Sequence, residues 1–196
     1  MARMTGHMRR IGVLSIVFVA AAACSGCLVL SLQPAYDDEW LAWDPSLIGM
    51  WRDAEDNASL KIDAAEWRSY RLHYEHPSEK GDVTGFLTIV GDEHYLDVMP
   101  ARGEDRGSFL LPAHAVLRVD RTGDELVLTP LSYDWFADRL RAGRTPGGEL
   151  TAIFDQKQNA LIVSPTSRLR AWLRAQPKDS LAWGAAATFT RVRTGN

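Results

Sequence analysis

Cysteine is nearly absent from this 196-residue chain: there are two, Cys24 and Cys27, too few for a disulfide framework. Charge of one sign is not concentrated either. The net charge is −3, lysines and arginines are scattered, and like charges never run beyond three residues, so nothing marks a nucleic-acid surface. Metal-binding pairs are also missing, because no His-Glu-x-x-His occurs and the one Cys-x-x-Cys is Cys24 to Cys27. His73 and His76 are three apart on a strand and its exit, which points their side chains to opposite faces. No metal and no cofactor is expected. A Gly-x-Ser-x-Gly turn is lacking too: Gly107-Ser108 sits between Arg106 and Phe109 without a second glycine, so the usual way of exposing a serine nucleophile is gone. These exclusions leave an ordinary globular composition, 46% hydrophobic and 24% charged, and one long apolar stretch that needs its own explanation.

That stretch is N-terminal. Arg3, Arg9 and Arg10 precede it with no acid among them, and no charged residue occurs from Ile11 to Leu32. Its apolar core, residues 11–23, is 13 residues long, which suits a secretory signal better than a span that needs about 20. An uncleaved signal anchor is the alternative, since the uncharged run to Leu32 is long enough to span with some tilt. The core turns into small residues, Ala20-Ala21-Ala22-Ala23-Cys24-Ser25-Gly26, followed by Cys27. This resembles the lipobox of bacterial lipoproteins, which implies lipidation of Cys27, with Cys24 as a second candidate. No aspartate follows Cys27, which in that family implies the outer membrane, facing the periplasm. The chain then divides into a signal peptide (1–26), a tether (27–46) and a folded domain (47–196).

The tether is punctuated by Pro34 and Pro45 and holds Asp37, Asp38, Glu39 and Asp44, a solvated acidic face that lacks the glycine and closing glutamate of a calcium loop. Trp40 and Trp43 lie in it, three apart. Beyond Pro45 the period is two. Leu60, Ile62 and Ala64 alternate with Lys61 and Asp63, Tyr70, Leu72 and Tyr74 alternate with Arg71 and His73, and the pieces 83–91, 94–99, 113–121, 125–130, 150–155, 160–164 and 187–193 follow suit. Turn residues such as Gly91-Asp92 and Thr122-Gly123-Asp124 join them. Short strands at this spacing predict a mostly β protein, an antiparallel closed or nearly closed barrel of about eight or nine strands. Two helices are inserted between late strands. Ser132 caps one over Tyr133–Ala142, with Asp134 in its positive first turn. The other starts near Pro165-Thr166, with Leu169, Trp172 and Leu173 on one face and Arg168, Arg170 and Arg174 on another. Both are expected to pack over barrel openings.

Gly49-Met50-Trp51 resembles the Gly-x-Trp opening of lipocalins, whose companion is an arginine from the last strand packed on the tryptophan. Arg191 and Arg193 are the candidates here, with Arg191 preferred as farther from the terminus. The stretch Cys27–Pro34, then Leu47–Trp51, Tyr95-Leu96-Asp97, Leu111–His114 and Leu131–Trp135, is similar to a group of uncharacterised bacterial lipoproteins. The resemblance implies a lipid-anchored, lipocalin-like exported domain without an assigned activity. True lipocalins place their helix after the eighth strand, whereas both helices here interrupt the strand order.

Asp97 and His114 are expected to meet across the sheet as a structural pair; a hydrolase using them, with Asp134 and a serine, is the least favoured reading. The favoured reading is a lipid-anchored binding module for a small apolar ligand or an envelope component. The alternative is a structural or assembly lipoprotein with a filled barrel and an envelope protein partner. An interior cavity of several hundred cubic ångströms separates the two.

Overall fold

The computed structural model describes residues 28–101 and 112–193. The signal segment 1–26, both lipidation candidates Cys24 and Cys27, and Gly107-Ser108 lie outside the described residues. In chain order the strands are β1 (Val29–Ser31), β2 (Gly49–Asp53), β3 (Ala58–Ala64), β4 (Ser69–His76), β5 (Glu79–Val90), β6 (Glu93–Pro100), β7 (Ala115–Thr122), β8 (Glu125–Pro130), β9 (Ala152–Phe154), β10 (Ala160–Ile162) and β11 (Ala187–Arg191). The helices are α1 (Tyr133–Arg141) and α2 (Thr166–Arg174).

Eight strands close an antiparallel barrel in the order β11-β2-β3-β4-β5-β6-β7-β8. Alternation decides what enters it: Leu60 and Ile62 are buried while Lys61 between them is exposed. The interior is filled by Trp51, Leu60, Ile62, Leu72, Leu96, Val98, Leu117, Leu128 and Phe189, each at most 3% exposed. An eight-stranded barrel is just wide enough for its own side chains or for one small ligand. Gly85 shows which applies at its level, because a Cβ there would sit 2.7 Å from Leu72 Cδ1 and 3.1 Å from Leu96 Cδ1. The leucines already occupy that space.

Segments 150–155 and 160–164 form strands but do not join the barrel. As β9 and β10 they build a three-stranded sheet with β1, which pairs parallel to β10. Residues 28–46, expected to be a tether, therefore differ from that expectation: they start with a strand and end in the 3-10 turn Pro45–Leu47, whose buried Leu47 joins the barrel core. The helices also lie elsewhere than over the openings. α1 packs on β9 and β10, and α2 packs on β5. The reason is a second apolar layer outside the barrel, where Val90, Tyr95 and Val116 face out and are covered by Phe136, Leu169, Trp172 and Trp183. Residues Tyr95–Val98 of β6 and Ala115–Val119 of β7 are consequently buried on both faces.

The packing at Gly85 has a direct check. Gly85→Val should lower stability by about 1–3 kcal/mol through overpacking, measured as a lower urea midpoint with an unchanged slope.

Candidate functional site

The first candidate constellation is the barrel seam. Register sets Arg191 of β11 opposite Trp51 of β2, and the Arg191 guanidinium carbon lies 4.1 Å from the centre of the Trp51 ring. Arg191 also donates to the carbonyls of Ile48, at 2.9 Å, and of Ser46. Trp51 Nε1 donates to the Leu47 carbonyl at 2.8 Å, so indole and guanidinium together hold the 3-10 turn against the barrel end. Gly49 is forced by the same contact: its φ is +145°, and a Cβ would meet Arg191 Nη1 at 2.6 Å. Arg193 lies elsewhere, exposed and bonded to Asp124.

The second is a polar seam under the N-terminal segment. Asp97 points outward from β6 yet is fully buried, and its Oδ1 lies 2.6 Å from His114 Nδ1. Asp97 Oδ2 accepts from the Ala35 amide at 2.6 Å, and the His114 backbone exchanges two hydrogen bonds with Ser31, of 2.8 and 2.9 Å. Burial pushes the Asp97 carboxyl above its ordinary range, opposed by the hydrogen bond and charge of His114 and by the Ala35 N–H. Asp134 lies in the first turn of α1 and is not among the hydrogen-bond partners of Asp97, which are His114 and Ala35.

Sequence reasoning missed the other half of the seam. Arg170 sits on α2 in what reads as a solvated arginine face, yet it is only 7% exposed. It donates to Ala35 O at 2.7 Å, Thr88 Oγ1 at 2.9 Å and Ile89 O at 2.8 Å, while Thr166 Oγ1 donates to Pro34 O at 2.7 Å. One signal was available: Arg170 follows Leu169 and lies two residues before Trp172, inside the apolar rhythm of the helix. Trp40 and Trp43 part company, Trp40 lying 5.7 Å from the Arg170 guanidinium and Trp43 stacking on Tyr70 at 4.7 Å and 11°.

The third is a surface feature at the β3–β4 hairpin. Ser69 N–H bonds to Glu66 O at 3.1 Å, and the two residues between them, Trp67 and Arg68, both have φ +56°. The β2–β3, β5–β6 and β7–β8 turns hold such angles with Asn57, Gly91 and Gly123, residues suited to them, and the β9–β10 turn does so with the single residue Gln158. A left-handed conformation costs bulky residues about 1–2 kcal/mol each. Trp67 recovers little by burial, since it is 86% exposed. Beside it Trp43, Ala64, Ala65 and Arg68 line an open groove of about 530 Å³, and Arg68 Nη1 donates to Leu41 O at 3.3 Å. A larger open groove of about 780 Å³ lies by the β2–β3 and β4–β5 turns, lined by Arg52, Glu75, His76 and Lys80 and reaching the core residues Trp51 and Ala58. Among the described residues no group of three or more His, Cys, Asp or Glu is placed to hold a metal ion, and no helix is long and apolar enough to cross a membrane.

No family model, curated protein or solved structure matches the chain.

Asp97 generates a prediction with a sign. A carboxyl raised in the folded state contributes stability that is whole below its unfolded pKa of about 3.9 and is lost as pH rises through the folded value. Asp97→Asn should destabilise by about 1–3 kcal/mol, and the loss should be larger at pH 4 than at pH 8. Urea unfolding of both proteins at the two pH values decides it, and equal losses would count against the raised carboxyl.

Proposed function

We propose that this chain is a cell-envelope lipoprotein, held to the outer membrane by acyl chains on Cys27 and facing the periplasm, whose barrel is a packed scaffold that meets another envelope component through its outer surface. One observation supports the scaffold over a ligand carrier. The barrel interior is occupied by its own side chains, so closely at Gly85 that a single methyl group would displace Leu72 and press on Leu96. A carrier of an apolar molecule needs a cavity of several hundred cubic ångströms. The polar pair fits the same reading. Both Asp97 oxygens are engaged, and the Ser31 hydroxyl beside His114 donates to Gln33 O at 2.6 Å, which leaves the pair a structural task rather than a hydrolytic one. Anchoring is supported by the sequence: a basic start, a 13-residue apolar core, then small residues and Cys27.

Labelling with a fatty-acid analogue tests the anchor. Incorporation should vanish in Cys27→Ser and persist in Cys24→Ser; the reverse pattern moves the lipid to Cys24, and no incorporation in the unaltered chain removes the anchor. Native mass spectrometry of the chain from its own host tests the scaffold, which predicts the mass of the protein without a retained apolar molecule. A stoichiometric apolar guest would restore the carrier reading.

A further inference from the structure

The β3–β4 hairpin is the turn among the described residues in which two consecutive bulky residues take positive φ, where the β9–β10 turn has Gln158 alone. Its neighbours at the same barrel end, the β5–β6 and β7–β8 turns, use glycine for positive φ. This one uses Trp67 and Arg68, and Trp67 packs on almost nothing. Backbone strain that the fold does not need is found where a surface has work to do. The groove beside it is shaped for a flat ring. Its wall is Trp43, whose one face is fixed against Tyr70 and which remains 39% exposed. Ala64 and Ala65 line the same groove without bulk, and Arg68 brings guanidinium donors to its edge.

We infer that this groove, with Trp67 at its margin, binds a saccharide chain: pyranose rings laid on the Trp43 indole face and Trp67, with hydroxyl or amide oxygens accepting from Arg68. A sugar ring has one apolar face for an indole and a polar rim for a guanidinium, which is the mixture Trp43, Trp67 and Arg68 present. A bilayer is the competing occupant of an exposed tryptophan, and the topology disfavours it. β1 meets the barrel through Ser31 and His114, at the end of β7 away from the β7–β8 turn. The β3–β4 hairpin lies at the opposite end, and β3 is half a circuit from β7 in the ring of eight strands. The bridge through which the N-terminal strand joins the barrel is thus at the other barrel end from this hairpin, which favours a ligand from solution over a bilayer. The inference rests on the proposed anchoring for that preference alone.

The test uses the full chain in a detergent without a sugar headgroup, titrated with the tetramer of β-1,4-linked N-acetylglucosamine and followed by the tryptophan indole resonances. Binding that shifts Trp43 and Trp67 is expected. The double variant Trp67→Asn/Arg68→Gly gives the turn the residues its backbone favours. It should melt at least about 3 °C higher while binding the tetramer at least about tenfold more weakly; Trp67→Tyr should bind within a few-fold of the unaltered chain. Failure of the tetramer to bind, or equal binding by the double variant, overturns the inference. So does a Trp67 response confined to phosphatidylethanolamine–phosphatidylglycerol vesicles, which would make the hairpin a membrane contact. Loss of fatty-acid labelling with tetramer binding intact would overturn the anchor and leave the saccharide site standing.

Discussion

The burial of β6 and β7 on both faces is the constraint from which the rest of the molecule follows. A barrel normally turns one face of each strand to water, and polar residues are at home there. Here the outward side chains of these strands include Asp97, Tyr95 and Arg118, all buried beneath a second layer. Covering a carboxylate without partners would be prohibitive, so the cover must bring donors with it. It does so through the Ala35 amide and the His114 ring for Asp97, while the Arg170 guanidinium ties the Ala35 carbonyl of the covering segment to Thr88 Oγ1 and Ile89 O of β5. Arg118 is treated in the same way, lying 4.9 Å from the Trp183 ring and donating to Lys178 O at 3.1 Å. The second layer is thus specified by hydrogen-bond partners as much as by apolar area.

This division explains what could be read from the chain and what could not. The period-two pattern at Leu60-Lys61-Ile62 is local, and so are the Ser132 cap of α1 and the glycine turns at Gly91 and Gly123; each announces its element within a few residues. Gly49, Trp51 and Arg191 were legible because a closed barrel must bring its first and last strands together. The N-terminal segment was not. Its prolines and acids read as linker, and the partner that makes Val29–Ser31 a strand is Ala160–Ile162, more than a hundred residues later. Parallel pairing across that distance leaves no local trace. Arg170 was misread for the same reason: Arg168 and Arg174 are exposed as the pattern suggests, and only the distant carbonyls of Ala35 and Ile89 set Arg170 apart from them.

The hairpin at Trp67 raises a different point about consistency. Three of the turns place glycine or asparagine where the backbone needs it, so local preference and global fold agree there. At Trp67-Arg68 they conflict, in a region whose strands are otherwise well paired: Ala64 faces Tyr70, and the Ala65 amide bonds to Ser69 O at 2.9 Å. The sheet holds the turn in place and does not explain its residues. A conflict at two consecutive bulky residues, against the single Gln158 of the β9–β10 turn, separates what the fold requires from what the surface presents.

The docking of residues 28–46 has a consequence for cleavage. Proteases take their substrates as extended, unbonded chain, and a conventional tether between an anchor and a domain supplies it. In this protein the Leu28 carbonyl already accepts from Ala160, Leu32 donates to Ile162 O, and Ala42 donates to Leu87 O, so hydrogen bonds to the folded body recur along the segment. Cutting within residues 28–46 would require peeling the segment from the folded body first. Trimming of this stretch therefore waits on local unfolding, which free chain would not demand.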